Sequence, residues 1–422
     1  LAYQPIIAGD TVPNVTRHYA WIVFALTFGL LISDYMSRQV LNAVFPLLKA
    51  EWGLTDARLG MLSGVVALMV GLLTFPLSLL ADRFGRVRSL VVMALLWSLA
   101  TLACGVAQSF DHMLLARLCV GIGEAAYGSV GVAVVLSVFP PKMRATITGA
   151  FMAGGMFGSV LGMATGGVLA HHFGWRWSFA GMAIFGLVLA TLYPLIVRES
   201  RLGSSTSQDA GKKLSLASLF ATRSVISAYV GSGLQLFIGG SLIAWMPSFL
   251  NRYYNMTTDR AGVFSAVLVL CGGAGMILCG VISDRLGHGS PVRKLSLAIT
   301  FCVLCFVLLT TGFSLPPGPL QLALIAAGMF VSAGTAGPAG AMVANLTQVA
   351  IHGTAFATLT LANNLLGLAP GPYITGELAD RFGLQTALQL IPMISLAAAV
   401  AFLIGKRSYE NDLRLVQAAQ VA

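Results

Sequence analysis

Four ionisable side chains stand inside long apolar stretches of this 422-residue sequence: Asp34, Arg38, Arg117 and Glu124. Burying one charge at the centre of a bilayer costs on the order of 3 kcal/mol. Such groups must therefore pair with one another or line a water-filled space. Asp34 and Arg38 are one helical turn apart and can pair directly, while Arg117 and Glu124 are two turns apart and share a helix face. A neighbouring guanidinium favours an ionised carboxylate, whereas loss of water favours a protonated one. A site that alternately wets and dries would shift the balance between the two forms, which is the physical requirement for proton coupling. The competing reading is a permanent ion-pair network that holds two helices together.

These side chains need a membrane-spanning scaffold to position them. Hydrophobic residues make up 57% of the chain and charged residues only 9%, against about 25% charged in soluble domains. With about 20 apolar residues per crossing of a bilayer core, apolar runs between charge clusters and Gly/Pro breaks give twelve spans. They are 19–46, 59–81, 89–108, 112–139, 145–170 and 177–197, then 225–250, 261–283, 295–314, 320–348, 354–376 and 385–405. Spanning helices satisfy their own backbone groups, so the expected fold is all-α. A polar stretch at 198–223, with a Gly-Ser-Ser-Thr-Ser run and Lys212-Lys213, divides the chain. The expected organisation is an N-terminal six-helix bundle at 1–197, a cytoplasmic linker at 198–223 and a C-terminal six-helix bundle at 224–422. The first long apolar run begins at Tyr19 and is too long for a signal peptide, so no removable leader is expected.

The formal net charge is +10, but here basic residues serve to orient helices rather than to bind nucleic acid. Seventeen Lys and Arg fall in the tails, the linker and the loops on their side, and six fall on the other side. Cytoplasmic loops hold such an excess, so both termini are expected in the cytoplasm. The six cysteines lack the paired spacing of a metal site, and the histidines lie at span ends or in loops, His171-His172 included. No metal or other cofactor and no clustered catalytic set is expected, which argues against an intramembrane enzyme.

The loop after span two reads Ser78-Leu-Leu-Ala-Asp82-Arg83-Phe-Gly85-Arg86-Val-Arg88, and after span eight Gly280-Val-Ile-Ser-Asp284-Arg285-Leu-Gly287 recurs at the corresponding position. Phe173-Gly after span five is matched by Phe382-Gly after span eleven. This internal repeat resembles the loop signature of the major facilitator superfamily, and the resemblance covers nearly the whole chain. It implies two pseudo-symmetric six-helix bundles and alternating access, with Asp82, Arg83, Gly85, Arg86, Gly280, Asp284 and Arg285 in gating or structural roles. Span five carries glycine at 154, 158, 162 and 166, a small-residue ridge for close packing. It lacks the proline that marks many drug antiporters of the superfamily.

At finer grain, Arg38-Gln-Val-Leu, Gly121-Ile-Gly-Glu-Ala and Phe139-Pro-Pro-Lys-Met-Arg-Ala resemble the spinster-like and anion:cation symporter branches. An aspartate commonly precedes the span-one arginine there; here Ser37 occupies that position and the nearest acid is Asp34. The resemblance implies a secondary transporter. Expected proton-coupling residues are Glu124, then Asp34, with Arg38 attracting a substrate anion. Ser37, Tyr35, Tyr127, Gln235, Trp245, Asn345, Asn363 and Asn364 are candidate substrate contacts, although span asparagines also serve simply to join helices. Arg117, nearer the outer end of its span, is expected to be structural. The expected substrate is a small organic anion moved with protons, and the alternative is export of a lysolipid or other amphipathic lipid. A monomer in a bacterial inner membrane is expected. Pro338, Pro370 and Pro372 are expected to bend spans ten and eleven.

Overall fold

A computed structural model describes residues 15–202, 219–220, 222–287, 291–348 and 351–421. Lys212, Lys213 and His288 lie outside the described residues. Among those described, every regular element is helical, and eleven helices are long and apolar enough to cross a membrane. Spans one to three are the continuous helices Arg17–Trp52, Asp56–Phe84 and Arg86–Val106. Span four is Phe110–Glu124 followed by Tyr127–Val138. Spans five and six are Arg144–Phe173 and Trp175–Ile196. The second half repeats this with Arg223–Tyr254, Thr258–Leu286 and Pro291–Ser314. Span ten is Pro319–Ser332 and Ala336–Leu346, and span twelve Leu384–Leu390 and Met393–Val421.

Span eleven is the crossing that does not count among the eleven long apolar helices. It consists of His352–Asn363, a π-turn at Asn364–Leu368 and Pro370–Phe382. Pro370 has no N–H to donate and crowds the carbonyl four residues back, which falls within the widened turn. Span ten breaks at Ala333–Thr335 for the same reason, four residues ahead of Pro338.

The loop residues that join spans were legible. Gly85, Gly174 and Gly383 each follow a phenylalanine and adopt φ between 84° and 93°, a region that L side chains rarely enter. The Phe-Gly repeat therefore marks one turn used three times. Large apolar side chains such as Leu72, Val92, Leu115, Leu195 and Ile277 are exposed along the helices, as a lipid-facing surface requires.

The span-five glycines pack against span one, in the same half. Methyl groups added at Gly154, Gly158, Gly162 and Gly166 would meet Phe28, Ile32, Met36 and Val40 in turn. Contact between halves uses the next register: at Gly262 of span eight a methyl would stand 2.7 Å from the Met163 carbonyl oxygen and 3.1 Å from Gly167 Cα.

Candidate functional site

Span four is interrupted directly after Glu124: the residue ends one helix, and Ala126 (φ −108°, ψ 0°) precedes the next. Carbonyls freed by a break inside a membrane need other donors. The Thr74 hydroxyl is shared between the Ala125 carbonyl, at 2.7 Å, and the Val70 carbonyl of its own helix, while the Ala126 carbonyl keeps the Val130 N–H at 3.1 Å and also accepts from Ser129 Oγ at 2.9 Å. The break is thus built into the sequence, and it holds the Glu124 carboxyl against span one.

Arg38 Nε lies 3.2 Å from Asp34 Oδ1 and 2.6 Å from Glu124 Oε2. The Glu124 contact is one of charge, without the alignment of a hydrogen bond. Asp34 and Glu124 are each only 2% exposed, whereas the Arg38 side chain keeps 18% exposure. Its terminal nitrogens have no hydrogen-bond partner among the described residues, and its guanidinium carbon stands 5.1 Å from the centre of the Tyr35 ring. Ser37 is fully buried with its hydroxyl unpaired.

Arg117 is 1% exposed and faces backbone rather than carboxylates. Its Nε donates to the Leu62 carbonyl at 3.2 Å, and its terminal nitrogens donate to the carbonyls of Ser37 at 2.9 Å and Arg38 at 3.3 Å. It therefore fixes the turn of span one that presents Arg38.

The other candidate residues are spread more widely. Tyr127 lies in the core of the first half, donating to the Thr27 carbonyl at 2.6 Å and packing edge-on to Trp97. Gln235 accepts from Ser395 at 2.9 Å, joining spans seven and twelve. Asn345 donates to Tyr409 at 3.1 Å. Asn363 precedes the π-turn and Asn364 opens it, each with a buried side-chain carbonyl oxygen that lacks a partner. The Asn364 Cβ fills the space left by Gly71 of span two. Trp245 donates to the Pro372 carbonyl at 3.0 Å and packs on Phe45 across the halves, 5.3 Å between ring centres.

Sequence reasoning missed a second charge cluster, where the halves meet. Asp56 at the start of span two takes two hydrogen bonds from Arg252 of span seven, at 2.7 and 2.6 Å, and one from Lys49 of span one at 2.6 Å. Asp380 of span eleven accepts the backbone N–H of Asp56 and of Ala57, both at 2.8 Å. Nearby, His171 Nδ1 is 3.8 Å from Asp259 across the halves. Below this cluster spans two and eleven touch backbone to backbone: methyls at Gly60 and Gly64 would each stand 2.2 Å from a carbonyl oxygen, those of Pro372 and Ala369. The sequence signal was the recurrence of acidic residues at these helix ends, which loop counting treats as background.

At the opposite end, the polar contacts of Glu199, Asp284 and Ser78 among the described residues run within one half. Glu199, also missed, accepts the N–H groups of Arg86 at 2.8 Å and Val87 at 2.7 Å, capping span three. Asp284 pairs with Lys294 at 2.5 Å, and Ser78 shares a hydrogen bond with Ser129. Arg83 and Arg285 are exposed; Asp82 lies in span two, its side chain outside the described set. Methyl groups at Gly149, Gly280 and Gly353 would meet nothing within 4 Å.

This arrangement, two helical halves joined at one end around a buried charge cluster, has relatives. A probable L-galactonate transporter of Escherichia coli (strain K12) is 26% identical over 413 residues, 92% of this chain and 90% of the relative. Protein spinster of Drosophila melanogaster is 26% identical over 383 residues, 87% of this chain and 63% of that protein. Among solved structures, a bacterial homolog to the human lysosomal transporter Spinster, in an inward-facing and unoccupied conformation, superposes with a TM-score of 0.86. That likeness holds at 20% identity and covers 94% of this chain and 99% of the other. The sequence profile of the Major Facilitator Superfamily matches residues 27–318, well over half of the chain, and the protein belongs to that superfamily of membrane transporters.

Proposed function

We propose that this transporter moves a small organic anion together with a proton, by alternating access, across a bacterial inner membrane. The observation that carries the reading is Arg38: its Nε is held between Asp34 and Glu124, while its terminal nitrogens are free among the described residues. A guanidinium fork of this kind suits a carboxylate. With all four groups ionised, Asp34 and Glu124 balance Arg38 and Arg117. An arriving anion would leave the buried cluster net negative unless one carboxyl took up a proton. Proton and anion thus enter the site most favourably as a pair, with Glu124 the main proton carrier and Asp34 the second.

The excess of basic residues puts both termini and the 82–88 loop in the cytoplasm, with residues 198–223 linking two bundles on that side. In this orientation the cluster around Asp56 closes the outer end and the site is reached from within. Tyr35 and Ser37 lie next to Arg38 in this scheme, and Asn363 and Asn364 offer unpaired acceptors in the neutral wall of the second half. The similarity to a protein named for galactonate transport supports an organic acid. The similarity to protein spinster keeps export of an amphipathic lipid as the second reading.

The test is uptake of labelled organic anions and lysolipids into proteoliposomes, with and without an inward proton gradient. Accumulation of one small anion only with the gradient, abolished by Glu124→Gln, is the expected result. Gradient-driven uptake that survives Glu124→Gln would remove the proton-carrier role, and gradient-independent movement of lysolipids alone would replace the anion reading with the lipid one.

A further inference from the structure

The hexapeptide Leu-Ala-Asp-Arg-Phe-Gly occurs twice in the chain, at residues 80–85 and again at 378–383. The first copy ends span two. The second ends span eleven, at the opposite end of the molecule, beside the cluster around Asp56. Both finish in the same turn, with Gly85 at φ 93° and Gly383 at φ 84°.

Among the described side chains, which leave out Asp82, the two copies differ in where their contacts go. At the first, Ser78 bonds to Ser129 and Glu199 caps the following helix, all within one half. At the second, Gly376 stands where Ser78 stands in the first copy, and a methyl there would lie 2.3 Å from the Asp56 carbonyl oxygen of the other half. This absence of a side chain lets the Asp380 carboxylate reach the first two amides of span two. Those amides have no acceptor inside their own helix. The Arg58 amide is covered locally by the Thr55 hydroxyl at 3.3 Å, and the Asp56 side chain is turned away to Arg252 and Lys49. The remaining charges of the second copy are engaged on span eleven itself, Arg381 with Glu377 at 3.5 Å. Asp380 alone among them is directed across the interface.

We propose that the second copy of the hexapeptide is the latch of the closed end, and that Asp380 is a positioning residue for the transport cycle. It caps span two only while this end is shut. Opening this end strips two helix-terminal amides of their acceptor at the same moment that Asp56 leaves Arg252. Asp380 therefore weights the balance between the two access states rather than the stability of its own bundle.

Hydrogen exchange on the full chain in lipid nanodiscs tests this, read on peptides covering residues 54–60 and 82–90. In Asp380→Ala, exchange at 54–60 should rise about tenfold while exchange at 82–90 falls, because the population moves toward the state closed at the other end. Asp380→Asn, which keeps the volume and one acceptor oxygen, should give a smaller shift of the same sign, and Asp380→Glu should largely restore the original pattern. Faster exchange at 54–60 with no change at 82–90 would make Asp380 a cap of structural value only and overturn the proposal. So would unchanged exchange at both ends.

Discussion

Where Asp56 lies, charge crosses between the halves, and at the end where residues 82–88 lie, the described carboxylates Glu199 and Asp284 bind within their own half. Arg252 and Asp380 of the second half both bind the start of span two, one through its side chain and one through its backbone. At the far end Glu199 and Asp284 serve helices of their own half. The glycines repeat the contrast. Gly60, Gly64, Gly167 and Gly262 admit a carbonyl or backbone from the other half, whereas Gly149, Gly280 and Gly353 face open space. Cross-half contacts stabilise one access state, because they must break for the halves to rock. Contacts within a half persist in both states and stabilise the fold alone.

Three substitutions and one control would break or sharpen this contrast. Arg252→Ala should have the largest effect. It leaves the buried Asp56 carboxylate with Lys49 alone, and truncating one partner of a buried charge pair costs about 2–3 kcal/mol. The loss should appear as a shift between access states, read by spin-label distances across the two ends; unchanged distances would show that the cluster does not hold the closed end. Gly262→Ala comes next. Its methyl would crowd the Met163 carbonyl and Gly167, and overpacking of this order costs about 1–2 kcal/mol. The same distances should move in the same direction, while Gly280→Ala, with open space around it, should move nothing. Glu199→Ala is the smallest. Loss of a cap costs about 1 kcal/mol and should lower the thermal unfolding temperature in detergent without altering the distances. An altered access state in Glu199→Ala would blur the distinction between the two ends.

Twelve crossings, their division into two sets and the repeated Phe-Gly turns were legible because bilayer thickness and backbone sterics act locally. The four buried charges were legible for the same reason: an ionisable residue in an apolar run is costly wherever it sits. The pairing of Asp34 with Arg38 follows from helix periodicity, but Glu124 approaches from span four at the point where that span breaks, and the Ala125 carbonyl there is met by Thr74 of span two. Tyr127 and Gln235 show the limit from the other side. Each is a polar group within a span, and only the packing of neighbouring helices turns it toward Thr27 or Ser395.

The cluster around Asp56 was the least legible, since each member reads as an ordinary loop or helix-end charge. Its partners come from spans one, two, seven and eleven, up to 324 positions apart in the chain. Sequence by itself determined that this protein lives in a bilayer, how often it crosses, and which charges must find partners there, since each depends on the cost of moving a residue out of water. Which partners they found, and which end of the molecule is sealed, was decided by tertiary structure, because a carboxylate and an amide hundreds of residues apart meet only when two whole bundles pack against each other.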